Sequence, residues 1–169
     1  MEEEARREPT AGRPFMPGYG LAERGDGLLP WSWAVERLAR TRNYWLSTTT
    51  SDAAPHSMPV WGVWTDDRLF LSTGRRSRKY RNLVLDARCV VTTGDGDEPV
   101  VVQGTAREVG STAERERFAG IADAYRAKYD FDMTTMEEPL FELRPVVVFG
   151  MIEQADQFSA SATRWVFDV

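Results

Sequence analysis

The chain has 169 residues, a formal net charge of −5, one cysteine and one histidine. That length suits one domain able to bury a core unaided, Cys89 alone excludes an internal disulfide, and this His/Cys content excludes a zinc centre. The acidic total speaks against general nucleic-acid binding, no apolar run nears the roughly 18 residues of a membrane span, and the acidic start MEEEARREPT is unlike an export signal, so a cytoplasmic protein is expected.

Residues 1–29 carry Pro9, Pro14, Pro17 and five glycines but few branched apolar residues. This predicts an irregular N-terminal arm, expected to act as a mobile lid, and sets the folded domain at residues 30–169. Pro30 suits a first helical turn, and Trp31, Ala34, Val35 and Leu38 then fall on one face of a short amphipathic helix. Strand signals follow at 44–50, 56–65, 68–73, 88–93, 100–109, 141–152 and 163–167. Asp66-Asp67 marks a two-residue turn between the second and third, without the usual glycine. Such even spacing predicts a mainly β fold, a barrel or sandwich. Two helices interrupt the series. Ser77 caps one, with Tyr80, Leu83, Val84 and Ala87 turned inward; Ser111 caps a longer one, where Phe118, Ile121, Ala122, Tyr125 and Tyr129 recur at helical spacing. Cys89 is expected to be buried and inert. Glu137-Glu138 reads as a polar turn, and at least two of Trp45, Trp61, Trp64 and Trp165 as barrel core.

Five of the seven residues from Arg75 to Arg81 are basic (Arg75, Arg76, Arg78, Lys79 and Arg81), and no acid occurs from Arg68 to Leu85. A strand ending in Ser72-Thr73-Gly74 leads here into a helix capped at Ser77. A helix N-terminus offers unpaired N–H groups and partial positive charge to an anion. Hydroxyls of Ser72, Thr73 and Ser77 can donate to phosphate oxygens, Gly74 admits close approach, Lys79 supplies a point charge and Arg78 a planar fork. Two readings stand on these residues alone: a phosphate site, or a solvated basic helix face. Nucleic-acid contact through Tyr80 has against it the acidic total and the lack of a second basic segment.

The segments PHSMPVWGVW (55–64), RLFLSTGRRSRKYRNL (68–83), RCVVTT (88–93) and VVVQGTAREV (100–109), in that order, resemble the FMN-binding split-barrel superfamily of pyridoxamine 5′-phosphate oxidase-like proteins. The ending SATRWVFDV (161–169) is similar to the tail of its deazaflavin-using branch. The resemblance implies a six-stranded split β-barrel with a few flanking α-helices, working as a homodimer with cofactor in grooves between subunits. On matching positions it implies that Thr73, Ser77, Arg78 and Lys79 hold the cofactor phosphate. The strand His56, Ser57, Met58, Pro59, Val60 and Trp61 would follow the ring, and Arg164 and Trp165 would approach it, the latter pair from either subunit.

The implied function is an oxidoreductase using coenzyme F420, with FMN as the alternative, to transfer hydride to a small conjugated or planar substrate. Five positive charges exceed what the single phosphate of FMN needs. F420 carries a phosphodiester and a glutamate tail that Arg75, Arg76 and Arg81 would meet. The substrate-binding tail of pyridoxamine 5′-phosphate oxidase is not recognisable in TRWVFDV, so that activity is disfavoured. No catalytic acid or base is identified, and His56 is expected to pack against structure or cofactor. A non-catalytic flavin or deazaflavin carrier or sensor is therefore the rival reading.

Overall fold

The computed structural model describes residues 8–23, 25–109 and 115–168. Its elements are β1 (Thr10–Gly12), α1 (Trp31–Arg40), β2 (Asn43–Thr49), β3 (Pro55–Thr65), β4 (Arg68–Ser72), α2 (Arg78–Leu85), β5 (Arg88–Thr92), β6 (Val100–Val109), α3 (Arg115–Tyr129), β7 (Leu140–Gly150), α4 (Phe158–Ser161) and β8 (Thr163–Val166). A 3₁₀ turn occupies Met133–Thr135. The order β7-β4-β3-β2-β5-β6 closes through a β6–β7 ladder into a six-stranded antiparallel barrel, and β8 then β1 extend the sheet beyond β7. No helix among the described residues is long and apolar enough to cross a membrane.

The barrel is split because two strands change partner midway. One edge of β7 pairs with β4 over residues 140–143 and with β8 over 147–150, while its other edge follows the whole of β6. β3 pairs with β2 over 55–61 but with β4 only over 62–65. A bulge between Gln103 and Gly104 adjusts the long β6–β7 ladder. A Cβ on Gly104 would stand 2.2 Å from the Arg144 carbonyl oxygen, so only glycine permits this approach of two backbones.

Period-two alternation sends Tyr44, Leu46, Leu69, Leu71, Val102 and Leu143 into the barrel, where α1 adds Trp31, Ala34 and Leu38 as its spacing predicts. Trp31 meets Trp64, Trp165 and Phe167 edge-on, with centroids 6.2, 5.6 and 5.2 Å away. Its Nε1–H donates to Asp67 Oδ1 at 3.0 Å. Asp66 and Asp67 both have positive φ (55° and 54°), the backbone of a type I′ hairpin, and the Trp31 bond helps hold that turn without glycine. A second core lies outside the barrel, where Ile121, Ala122, Tyr125 and Tyr129 of α3 cover Val63 and Phe70. The expected Ser111 cap and the Phe118 side chain lie outside the described residues.

Two expectations need correction. The arm is not simply irregular: it contributes β1, and its bonds run to β8 and α4. Arg13 Nη1 donates to the carbonyls of Ala160 (2.6 Å) and Ala162 (2.9 Å), and the Leu29 N–H donates to Thr163 Oγ1 at 2.9 Å. These contacts tie Thr10–Arg13 and Leu29 to the barrel's far edge. In α2 the inward row runs through Asn82 and Leu83, so Val84 and Ala87 are exposed. Asn82 is drawn in because its Nδ2 donates to Thr48 Oγ1 at 2.9 Å.

Candidate functional site

Beyond the Gly62–Leu71 pair, β3 and β4 part. β3 runs back through Trp61 to Pro55 with β2 on one edge and no strand on the other, among the described residues. β4 instead gives way to the turn 73–77 and to α2. One edge of β3 is thereby left without a strand, among the described residues, while the chain after β4 turns into the N-terminus of α2.

The turn is built as the hydroxyl pattern suggests. Thr73 is buried, and its Oγ1 lies 3.0 Å from Ser77 Oγ. The Ser77 N–H donates to the Gly74 carbonyl at 2.8 Å, and Ser77 Oγ caps α2 by accepting the Tyr80 N–H at 3.1 Å. An α-helix leaves its first N–H groups without partners inside the helix, so those of Arg78 and Lys79 remain as donors for an anion. Ser72 is committed elsewhere: its Oγ donates to the Pro139 carbonyl at 3.0 Å.

The basic run divides in two. Arg75 Nη2 pairs with Glu108 Oε1 at 2.7 Å and its Nη1 donates to Tyr80 Oη at 2.8 Å, which withdraws one of the charges expected to meet a ligand tail. Arg78 and Arg81 instead line a cavity of about 530 Å³, with Thr50, Asp52, Asn82 and Leu85 on its walls. The hydroxyl of Thr50 and, to a lesser extent, the charge of Arg78 hold the Asp52 carboxyl below its ordinary pKa.

On β3, Trp61 (43% exposed) and Met58 (44%) are open to solvent, as is Trp45 (46%) on β2. Val60 is a core residue, so only its backbone is available along that edge of β3. His56 pairs in register with Thr48, and its Nδ1 is buried without a hydrogen-bond partner. An orphaned polar atom here costs free energy unless something satisfies it. Ser57 Oγ accepts from Ser47 Oγ at 2.9 Å. Where β3 leaves β2, α3 takes over its backbone. The Gly62 N–H donates to Tyr129 Oη at 2.9 Å, and Lys128 Nζ donates to the Gly62 carbonyl at 2.9 Å. The Trp61 indole stacks on Tyr129, 4.6 Å between centroids and 10° between planes. Burial and then the charge of Arg42 pull the Lys128 ammonium down to about 8.

Residues 56–61 thus lie on the part of β3 that has no strand on one edge, among the described residues, and Thr73, Gly74, Ser77, Arg78 and Lys79 lie on the turn after β4 and the start of α2. The last two expected residues lie on neither element. Arg164 is exposed on β8, which flanks the other half of β7, and Trp165 is wholly inside the barrel core. Trp64 is core as well, so two of the four tryptophans are core and two are open. Cys89 is buried, and burial pushes its thiol up to about 12, matching the inert reading. The sequence reading missed Glu138, whose Oε2 accepts the Arg75 N–H at 3.0 Å. That contact spans 63 residues, and no local pattern announces it.

A family model described as pyridoxamine 5′-phosphate oxidase matches residues 34–151. No curated protein matches closely enough to support a relationship. Among solved structures, a conserved hypothetical protein from Mycobacterium tuberculosis aligns at 19% identity and TM-score 0.66, over 79% of this chain and 91% of that one. An FAD-binding protein from Mesorhizobium loti aligns at 15% and 0.59, over 80% and 94%. An F420 reductase aligns at 18% and 0.53, over 67% and 93%. The chain spans little more than half of two longer matches, 53% of a protein of unknown function from Agrobacterium tumefaciens and 56% of a heme binding protein from Mycobacterium smegmatis. At these identities the likeness is one of fold.

Proposed function

This chain belongs to the pyridoxamine 5′-phosphate oxidase family, and on that premise we propose that it is an oxidoreductase binding coenzyme F420 between β3 and α2. The observation that carries this reading is the parting of β3 from β4 beside the capped start of α2. On this reading the edge of β3 that has no strand partner among the described residues follows the ring system, and the capped turn receives the phosphate. The orphaned His56 Nδ1 fits a ligand with polar ring atoms.

When bound, the coenzyme supplies the ring that accepts or donates hydride. The chain's residues then have distinct tasks. Thr73, Ser77, and the first-turn N–H groups and cationic side chains of Arg78 and Lys79 hold the phosphate. The backbone of residues 56–61 orients the ring, and His56 offers Nδ1 to it. Trp61, braced from behind by Tyr129, gives a flat apolar surface for a conjugated substrate. The family name does not decide the substrate, and no residue is assigned as proton donor.

F420 is preferred to FMN because Arg78 and Arg81 line a cavity beside the first turn of α2, where a carboxylate tail would meet two cations against the one carboxylate of Asp52. The withdrawal of Arg75 by Glu108 narrows that preference, and FMN is the second reading. Titrating the protein with each coenzyme, followed by absorbance and fluorescence, tests both. We expect saturable F420 binding that weakens about 30-fold in an Arg78→Met/Lys79→Met variant, the loss of two charge-assisted contacts. Equal affinity in the variant would overturn the site. Tight binding without steady-state oxidation of the reduced coenzyme by added acceptors would favour a carrier or sensor.

A further inference from the structure

Glu138 stands at the turn assigned above to the coenzyme's phosphate. Its Oε2 accepts the Arg75 N–H at 3.0 Å, and both carboxylate oxygens lie 3.4 Å from a Cβ built on Gly74. The Ser72 Oγ bond to the Pro139 carbonyl pins the neighbouring backbone, and the Arg75 N–H holds the exposed carboxylate at the turn. The guanidinium of Arg75 itself is engaged elsewhere, bound to Glu108 and Tyr80. On the other side of the same turn, Thr73 Oγ1 and Ser77 Oγ sit 3.0 Å apart as the hydroxyl pair of the anion site. A fixed negative charge therefore borders the place where a phosphate would bind.

Like-charge repulsion grows in proportion to the ligand's charge. A phosphate monoester carries about −1.5 to −2 at neutral pH, whereas a phosphodiester carries a single charge. A bordering carboxylate thus penalises the monoester nearly twice as much in free energy. We propose that Glu138 is a selectivity determinant of this site, favouring a coenzyme attached through a phosphodiester over one ending in a phosphate monoester. The proposal rests on the reading that the start of α2 receives the coenzyme's phosphate.

Glu138→Gln tests it, because the amide oxygen can still accept the Arg75 N–H while the charge is gone. Fluorescence titrations at low salt would compare FMN, F420 and phosphate-free riboflavin on the wild type and the variant. We expect FMN to tighten about tenfold, F420 about threefold and riboflavin not at all, with both gains shrinking in high salt. Glu138→Ala, checked by thermal melting, should reproduce the order if the turn survives without the hydrogen bond. Equal tightening of FMN and F420, tightening of riboflavin, or weaker FMN binding would overturn the proposal and leave the site reading intact. Undiminished binding by the Arg78→Met/Lys79→Met variant would instead remove the site reading, and the Glu138 role with it.

Discussion

Glu142 has no exposed surface, yet it is held as a carboxylate. Burial by itself would raise its pKa. The bond from Arg68 and the charges of Arg68, Arg107 and Arg144 outweigh burial and hold it below the ordinary glutamate value. A depressed carboxylate stabilises the fold above its unfolded pKa of about 4.3 and loses that contribution as pH falls through its lower folded value. Glu142→Gln should therefore cost about 3 kcal/mol at pH 7, the order expected when one partner of a buried ion pair is removed. The gap to wild type should narrow progressively as pH falls below about 5, by no more than about 1.4 kcal/mol per pH unit. Urea unfolding across that range checks it, and a gap independent of pH would show that the charge is not what matters. This residue was illegible beforehand: it interrupts an apolar strand, and its partner Arg68 is 74 positions away.

At the scale of elements, α3 braces β3 and β4 from behind. Tyr125, Lys128 and Tyr129 bond the backbone of β3 and β4 near Trp61, where the strand pairing changes hands. These bonds keep buried N–H and C=O groups satisfied where no neighbouring strand can. Lys128 is one of only two lysines, so reductive methylation gives two resolvable dimethyl-lysine resonances. One should titrate near 8, as the half-buried ammonium sheds its charge. If neither does, Lys128 is better solvated than its packing indicates. The apolar stripe Ile121, Ala122, Tyr125 was readable as a core face from its period, but the tyrosine hydroxyls' backbone partners were not, because periodicity reports which face is buried and not what lies beneath it. The same limit explains α2, where a polar Asn82 turned inward and Val84 outward against their chemistry.

Taken whole, the molecule leaves Trp45, Met58 and Trp61 each more than 40% exposed on β2 and β3, with Val84 and Leu85 open on α2. We propose that a second copy covers part of this surface, as exposed apolar groups of this size favour association. Sedimentation equilibrium should return twice the 19.2 kDa chain mass, and Trp45→Arg/Trp61→Arg should return it once. A wild-type monomer at tens of micromolar would end the idea. The strand series and the Ser77-capped turn before α2 were legible because alternation, turns and caps are local signals. The short β1 and the pinned arm were hidden by proline and glycine content, which hides order imposed by distant partners such as Ala160.

β7 touches β4, β6 and β8, and no other strand here has three neighbours. Because it begins at Leu140, the ring stays open until all five other barrel strands have been synthesised. The earlier hairpins must wait as an unclosed sheet, with edges that invite mispairing. A net charge of −5 favours mutual repulsion of copies while that sheet is still unclosed.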